Sequence, residues 1–537
     1  MQLAEGLVVE LLPAQRDTKI SYKRVALTER LAQGHDAIIM ACEREHAAEL
    51  IQRLPFAAVW RRLYKEAKAR GPVTTLSTRL TESAAAMTIV FAKGGASAFE
   101  RLTLAARAWK ELGPPPRARV LFGALGMEAT QSAALLEALV AAALAATAPM
   151  PSMKAKPLKS ATPASITLLH EGAPPDLARS VAVDRGNHLA RWLTTLPPNV
   201  LNSTTYRRAL RDLARRRRWR FSFLGEAALR RRGAGAFLAV ARANEHRDAG
   251  IVRLQHRTAQ RRRTPPRLAL VGKGICFDTG GINLKTHKSM YHMHEDMQGS
   301  AVAVGTMLAL SALEAPYDID CWLAITENQI GARAFRPQEV VRASNGVTIQ
   351  VAHSDAEGRM VLADTLAFAA HTTPDIIIDF ATLTGSCVVA LGDRYSGAFT
   401  NRPEWRSALE LAGRDSGERV WPFPMDEDYD LELDSTIADI LQCTPDSKAD
   451  HILAARFLNR FVPANIPWIH LDLAASNRSG GLGHIPTDYT GFGVRYATHL
   501  LLDHDLPGLR ERAGRQTGKL TAGKPANRPT GKPVRSE

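Results

Sequence analysis

The chain has 537 residues, of which 45% are hydrophobic and 23% are charged, and its formal net charge is +15. A chain of this length is too long for one hydrophobic core, so two domains are expected, and the hydrophobic content is that of a globular protein. The five cysteines are scattered and show no C-x-x-C spacing. This excludes a recognisable zinc finger or disulfide framework and favours reduced thiols.

The first residues lack a basic segment followed by an apolar one, so no secretory signal is predicted. The most apolar run, residues 138–148, is shorter than a membrane span and is typical of an alanine-rich helix. We therefore expect a cytoplasmic protein without a membrane anchor.

Residues 1–147 alternate short apolar strands, such as 37–41 and 88–92, with helical stretches such as 102–112. This pattern predicts a small N-terminal α/β domain. Residues 148–175 begin with a stretch that is rich in proline, serine and lysine, and they are predicted to be a linker.

Residues 176–509 are predicted to form the larger, C-terminal domain. Apolar strands such as 322–325 and 376–380 alternate there with helices such as 359–371. This order predicts a mixed sheet that is covered by helices, and thus an α/β fold class. Residues 510–537 are basic and almost free of apolar side chains, so we predict a disordered tail.

Two charged segments in this domain carry the functional signal. The first follows an apolar strand at 267–271 and sets Lys273, Asp278 and Lys285 among four glycines. A phosphate-binding loop is one interpretation, but the glycine spacing matches it poorly. The second is Asp355-Ala356-Glu357-Gly358-Arg359, in which alternate side chains converge if the backbone is extended. Two carboxylates beside a cation suit a divalent metal with a neighbouring anion, although a solvated loop is the plainer alternative.

Three blocks resemble the signatures of the leucyl aminopeptidase family, the cytosolic two-metal exopeptidases. They read V-G-K-G-I-C-F-D-T-G-G-I-N-L-K, M-H-E-D-M-Q-G-S-A and S-D-A-E-G-R. Further blocks follow in the family's order, including D-F-A-T-L-T-G-S-C and T-G-F-G-V-R, and the resemblance covers roughly residues 180–500. It implies a metal-dependent aminopeptidase that removes N-terminal residues, preferably leucine-like ones, with a water activated by two metals.

The resemblance also implies the metal ligands, with Asp278 and Glu357 bridging two divalent cations, either zinc or manganese. The full predicted set is Lys273, Asp278, Asp296, Asp355 and Glu357. Two cations would balance the four carboxylates if the lysine binds as a neutral amine, and a strong positive charge nearby lowers the pKa of a lysine.

By the same resemblance, Lys285 would stabilise the oxyanion, and Arg359 would hold a bicarbonate ion that carries the proton of the attacking water. Asp296 would also receive the substrate amine. The side-chain pocket would consist of Met293, Thr382 and Gly385. The plainer alternatives are a strand-end lysine for Lys285, a salt bridge from Arg359 to one of the neighbouring carboxylates, and ordinary core packing for the pocket residues.

The sequence departs from the family pattern in several places. His353-Ser354 replaces the usual Asn-Thr before Asp355, and His294 replaces a lysine before Asp296. Histidines at 292 and 294 precede Asp296 in an H-x-H-x-D spacing, which could be mistaken for a histidine metal site. Residues 443–452 lack the glycine-rich arginine loop that is often found there, which puts substrate preference and subunit contacts in doubt.

The resemblance implies peptide substrates and a homohexamer. A different class of function is a basic nucleic-acid-binding regulator built on the peptidase fold, which the arginine runs at 207–220, 230–232 and 261–263 suggest. A solvated basic surface is the plainer interpretation, and we expect only weak nucleic-acid binding. The completeness of the ligand set favours an enzyme.

Overall fold

The computed structural model describes residues 9–79, 85–113, 118–156, 162–172, 174–260, 265–446 and 448–506. The predicted tail at 510–537 and the arginine run at 261–263 lie outside these residues. The described residues form an N-terminal unit around one sheet and a larger C-terminal unit around another.

The N-terminal unit is built on a mixed six-stranded sheet in the order β1-β6-β5-β2-β4-β3, in which only β3 runs antiparallel to its neighbour. Its elements are β1 (Lys19–Lys23), α1 (Glu29–Gln33), β2 (Ala37–Glu43), α2 (Ala47–Gln52), α3 (Ala57–Lys68), β3 (Thr75–Arg79), β4 (Ala86–Ala92), α4 (Ala98–Glu111), β5 (Arg119–Leu125), α5 (Ala129–Ala146) and β6 (Ser165–Leu169).

The linker that we predicted over residues 148–175 is wrong in one part. Strand β6 lies inside that range and pairs with the edge strand β1 on one side and with β5 on the other. This strand could not be recognised in the sequence, because it has only five residues and follows a polar, proline-rich stretch. So short an apolar run shows no clear alternation of apolar and polar side chains.

Helix α5 is longer than the apolar run that we read in the sequence. It spans 18 residues with a mean hydropathy of 1.5, so by length and composition alone it could cross a membrane. Ten of its residues are buried, and it packs against α4, α6 and β5. Such burial is typical of the core helix of a folded domain.

The C-terminal unit is built on a mixed eight-stranded sheet in the order β15-β14-β17-β13-β9-β10-β8-β7. Its elements are α6 (Ala178–Thr195), α7 (Ser203–Arg217), β7 (Arg220–Gly225), α8 (Glu226–Arg231), α9 (Gly235–Ala241), β8 (Gly250–His256), β9 (Arg267–Asp278), α10 (His287–Met290), α11 (Gln298–Ala312), β10 (Asp318–Asn328), β11 (Val340–Arg342), β12 (Thr348–Gln350), α12 (Glu357–His371), β13 (Ile376–Ala381), α13 (Gly385–Leu391), β14 (Ser396–Thr400), α14 (Arg406–Ser416), β15 (Val420–Pro422), β16 (Ile440–Leu441), α15 (Asp450–Asn459), β17 (Trp468–Asp472) and α16 (Val494–Asp503).

Helices cover both faces of this sheet, so the predicted α/β fold class is confirmed. Along β9, Leu268 and Leu270 join the core beneath α6, α11 and α16, whereas Ala269 and Val271 join the core beneath α9, α12 and α15. Burial on both faces explains why the central strands are almost continuously apolar.

The four central strands bring their carboxyl ends to one edge of the sheet. Strands β10, β9, β13 and β17 are mutually parallel neighbours. Residues that end these strands, or follow them directly, therefore meet at that edge, which is the usual position of a functional site in such sheets. A small sheet of β11, β12 and β16 stands beside it.

Helices α6 and α11 approach each other through two glycines. A Cβ atom at Gly305 would lie 2.5 Å from the carbonyl oxygen of Gly186, a distance that real Cβ contacts do not show. The backbones can touch only because both side chains are hydrogen atoms.

We therefore predict that Gly305→Ala lowers the free energy of unfolding by about 1–3 kcal/mol, the usual cost of overpacking a core. Thermal denaturation measures this loss. Gly94→Ala is the control, since an added Cβ there meets nothing within 4 Å. Equal melting temperatures for Gly305→Ala and the wild type would contradict this close packing.

Candidate active site

Three carboxylates meet at the carboxyl edge of the central strands. Asp278 is the last residue of β9, Glu357 is the first residue of α12, and Asp355 lies in the loop before that helix. One oxygen from each lies within 4.8 Å of the others. Asp278 and Glu357 are buried and Asp355 is half-buried. The two charged segments of the sequence therefore form one cluster, as expected.

The two predicted site lysines join these carboxylates. Lys273 Nζ lies 2.7 Å from Asp296 Oδ1 and 3.0 Å from Glu357 Oε1. Lys285 Nζ lies 2.9 Å from Asp278 Oδ2 and 2.6 Å from Asp355 Oδ1. The five predicted ligands and Lys285 thus form one connected cluster.

Burial and mutual repulsion disturb the charges of this cluster. Burial raises the pKa of Asp296 to about 8 and that of Asp355 to about 6, and it also raises the pKa of Glu357. Burial opposes the charge of Lys273, yet Asp296 and Glu357 raise the pKa of its amine above the usual value. The carboxylates therefore need more positive charge than the lysines supply.

The donor set fits hard divalent cations. Among the described residues, Asp296 Oδ2 and Glu357 Oε2 are buried oxygens without a hydrogen-bond partner. A buried carboxylate oxygen without a partner carries a large desolvation cost, which a bound cation would offset. Carboxylate oxygens with one amine nitrogen are suitable ligands for zinc or manganese.

Asn328, at the end of β10, fixes the position of Asp278, and the sequence alone did not assign it a role. Its Nδ2 donates to Asp278 Oδ1 at 2.8 Å and to the carbonyl oxygen of Ser354 at 3.0 Å. Because β10 is parallel to β9, this amide reaches both charged segments. A polar residue at the end of a central strand was the only signal in the sequence.

Asp472, the last residue of β17, holds the turn that carries Thr382. Its carboxylate accepts hydrogen bonds from the backbone N–H of Leu383 at 3.0 Å and from the Thr384 hydroxyl at 2.6 Å. In that turn, the carbonyl of Thr382 accepts from Lys273 Nζ at 2.9 Å, and its hydroxyl donates to Asp296 at 2.8 Å.

The predicted side-chain pocket is only partly defined by contacts. Thr382 touches Asp296, and Gly385 begins α13, where an added Cβ would meet nothing within 4 Å. Met293 lies half-buried in a short 3-10 turn before Asp296.

The structure gives no support to the alternative histidine metal site with the spacing H-x-H-x-D. The Nε2 atom of His294 lies 3.1 Å from the hydroxyl of Tyr489.

Arg359 is buried and paired with a residue that the sequence did not indicate. Its Nη2 donates to both carboxylate oxygens of Asp450, each at 2.8 Å, and its Nη1 donates to the carbonyl of Gln442 at 3.2 Å. The alternative salt bridge to Asp355 or Glu357 is not among the ion pairs of the described residues. The bicarbonate expected at Arg359 stays a prediction, and a protein carboxylate already contacts that guanidinium.

The arginine run on α7 lies at the outer edge of the sheet, away from the cluster. The guanidinium groups of Arg207 and Arg211 stack over the rings of Phe223 and Phe221 on the edge strand β7, at 4.4 and 5.2 Å from the ring centroids. These contacts tie part of the run to the edge of the domain, and they favour the interpretation of a basic surface over that of a nucleic-acid site.

Comparison with known proteins gives a consistent result. A model of the cytosol aminopeptidase family, catalytic domain, matches residues 188–498. The chain is 39% identical to a probable cytosol aminopeptidase of Synechococcus sp. (strain JA-3-3Ab) over 334 residues, which are 62% of this chain and 64% of that protein. It is 39% identical to that of Syntrophotalea carbinolica over 332 residues, which are 62% and 66% of the two proteins. These alignments span slightly less than two thirds of the relatives' length.

Solved structures agree in fold. A mutant of tomato leucine aminopeptidase superposes with a TM-score of 0.78 at 26% identity, covering 91% of this chain and 98% of that one. The bottromycin maturation enzyme BotP in complex with Mn superposes with a TM-score of 0.75 at 27% identity, covering 87% and 98%. The family model spans more than half of the chain, so the resemblance read from the signature blocks is confirmed and the chain belongs to the cytosol aminopeptidase family.

Proposed function

We propose that this chain is a metal-dependent aminopeptidase that hydrolyses the N-terminal peptide bond with water activated by two divalent cations. One observation carries the proposal: four carboxylates and two lysines from distant segments form a single, largely buried cluster at the carboxyl edge of the sheet. Such a concentration of buried charge is costly for a purely structural element and suits a site for cations.

Each residue of the cluster has a role in this proposal. Asp278 and Glu357 would hold both cations, and Lys273, Asp296 and Asp355 would complete the ligand set. When bound, two cations acidify a water molecule and polarise the scissile carbonyl. Zinc and manganese both suit these ligands, and the manganese complex of BotP is a precedent in a protein of the same fold.

Lys285 is proposed as the oxyanion donor. Its ammonium lies between Asp278 and Asp355, at 2.9 and 2.6 Å, so it is close to the site where the carbonyl would react. The carboxylates raise the pKa of this amine despite its burial, which keeps it a cation at neutral pH. A fixed positive charge there stabilises the oxygen that becomes negative during attack.

Asp296 is proposed to receive the free α-amine of the substrate, which would restrict cleavage to chain ends. A pocket of Met293, Thr382 and Gly385 would accept leucine-like side chains, because methionine and small residues adapt to apolar groups of varied shape. We also propose peptides as the substrates, a homohexamer as the assembly and the cytoplasm as the location.

The direct test of this function is hydrolysis of leucine p-nitroanilide by the full chain. Stripping the protein of metal should abolish turnover, and adding back manganese or zinc should restore it. An absence of turnover with either metal would contradict the proposed activity.

Glu357→Gln is predicted to abolish hydrolysis without unfolding the protein. The change removes a bridging negative charge, so both cations lose affinity, while the shape of the side chain is kept. Metal analysis and circular dichroism accompany the kinetics. Glu404→Gln, at an exposed position outside the cluster, serves as the control. Full turnover by folded Glu357→Gln would refute the ligand assignment.

Lys285→Ala is predicted to lower kcat by roughly 10²–10³, the usual cost of losing one oxyanion donor. Metal content should change much less, because this lysine is not proposed as a ligand. The two measurements are made on the same preparation. If metal is lost in proportion to rate, Lys285 organises the site and does not stabilise the oxyanion.

Metal binding is predicted to release protons, so affinity should rise with pH. The pKa values of about 8 for Asp296 and about 6 for Asp355 mean that both carboxyls carry protons part of the time near pH 6.5. Cations bind the deprotonated form and displace those protons. Titration calorimetry of manganese binding in two buffers with different ionisation enthalpies measures the release. Identical heats in both buffers would contradict it.

A further inference from the structure

The pair of Arg359 and Asp450 stands next to the proposed metal site, and none of the roles above explains it. Arg359 is 2% exposed, and one of its nitrogens binds both oxygens of Asp450. The side chain of Asp450 keeps 18% of its surface accessible, so the carboxylate is fixed on one side and open on the other. A fixed, partly accessible carboxylate is able to exchange a proton with a bound molecule.

Contacts on both sides locate Asp450 between the metal ligands and the predicted side-chain pocket. Arg359 follows the ligand Glu357 by two residues in the first turn of α12. The backbone N–H of His451 donates to Ser386 Oγ at 2.8 Å, and Ser386 directly follows the pocket residue Gly385. The carboxylate at position 450 therefore lies beside the space in which a substrate would meet the cations.

The backbone around Asp450 is built to hold it there. Ala449 has a φ angle of +50°, which a residue with a side chain rarely adopts, and α15 begins at the next residue. The contacts of Arg359 and of the following helix hold this conformation in place.

The same neighbourhood holds the loop that carries Asp355. The side-chain Oε1 of Gln442 accepts hydrogen bonds from the backbone N–H groups of Ala352 and His353, both at 3.0 Å. Its Nε2 donates a hydrogen bond to the carbonyl of Ala356 at 2.9 Å. Because Arg359 donates to the backbone carbonyl of Gln442, a single residue connects the arginine to this loop.

Hydrolysis also needs a group that takes a proton from the attacking water, and the proposed ligands and Lys285 are committed elsewhere. His353 is the nearest rival among the described residues. Its Nδ1 faces the backbone N–H of Asp355 at 3.2 Å, so the neutral ring carries its hydrogen on Nε2 and has no lone pair there. Glu295 is committed to Asn477 Nδ2, which donates to its Oε2 at 2.7 Å. Among the described residues, Asp450 is a carboxylate beside the cluster that is partly accessible and is not a proposed ligand.

We propose that Asp450 is the proton acceptor of the reaction, a role that rests on the proposed aminopeptidase function. As the water oxygen bonds to the scissile carbonyl carbon, one water proton passes to the Asp450 carboxylate. As the carbon–nitrogen bond breaks, that proton passes to the leaving nitrogen. A carboxylic acid and an amine are formed, and the carboxylate is restored. Arg359 positions the acceptor, and no dissolved anion is required.

The first test measures the dependence on bicarbonate. In carbon-dioxide-free buffer the manganese-loaded wild type should keep its kcat, and added bicarbonate should change it less than about two-fold, well below the usual contribution of an acid–base group. A large loss in the free buffer that bicarbonate reverses would overturn the proposal, because the proton acceptor would then be a dissolved ion.

Two variants separate a proton acceptor from a partner of Arg359. Asp450→Ala should lower kcat by roughly 10²–10⁴, and bicarbonate or formate should restore part of the rate by binding in the vacated space. Asp450→Asn should lower kcat by the same factor, and neither bicarbonate nor formate should restore it. Its amide fills the space beside Arg359 but cannot accept the proton. Metal content should stay unchanged in both. An Asp450→Asn variant with the kcat of the wild type would overturn the proposal.

The matched control is Asp430→Ala. Asp430 also pairs with a buried arginine of α15, since its oxygens accept from Nε and Nη2 of Arg456 at 2.6 Å each, but neither residue contacts the cluster. This variant should lose stability and keep its kcat. A fall in kcat equal to that of Asp450→Ala would assign the effect to destabilised helix packing.

The melting temperature provides a second test that does not depend on catalytic turnover. In metal-free protein, bicarbonate should raise the melting temperature of Asp450→Ala and leave those of the wild type and Asp450→Asn unchanged. The absence of any shift in Asp450→Ala would contradict an anion space beside Arg359. If the wild type hydrolyses no substrate with either metal, the aminopeptidase function itself fails, and the melting temperatures still report on that space.

Discussion

The site depends on the burial of four carboxylates at the carboxyl edge of four parallel strands. Isolated carboxylates at this depth would cost several kcal/mol each, and two lysines offset only part of that charge. The sheet makes the arrangement possible, because β9, β13 and β17 end together and α12 begins at the same edge. The proposed affinity for cations would thus follow from buried negative charge that the two lysines do not fully compensate.

Much of the cluster was predictable because its residues lie in two short segments with recognisable spacing. Lys273 and Asp278 share one strand, and Asp355 and Glu357 flank one helix start. The mixed sheet was predictable from long apolar strands. Strand β6 was not, because its five residues follow a polar stretch and gain their stability only between β1 and β5.

The partner of Arg359 could not be predicted, since Asp450 lies 91 residues further along the chain and no periodic pattern joins the two. The sequence showed only that residues 443–452 depart from the family pattern. A missing motif does not reveal what replaces it. The structure places the carboxylate of Asp450 on the guanidinium of Arg359, and this contact is the basis for the proposed role of Asp450.

The contacts of Asp472 connect the end of β17 to the residues proposed to bind the substrate. Its carboxylate orders the turn at 383–384 and thereby fixes both the carbonyl and the hydroxyl of Thr382, which touch Lys273 and Asp296. Asp472 at the end of β17 thus supports Lys273, Asp296 and Thr382 through one turn. If these residues bind metal and substrate as proposed, movement of that turn would change metal binding and side-chain selection together.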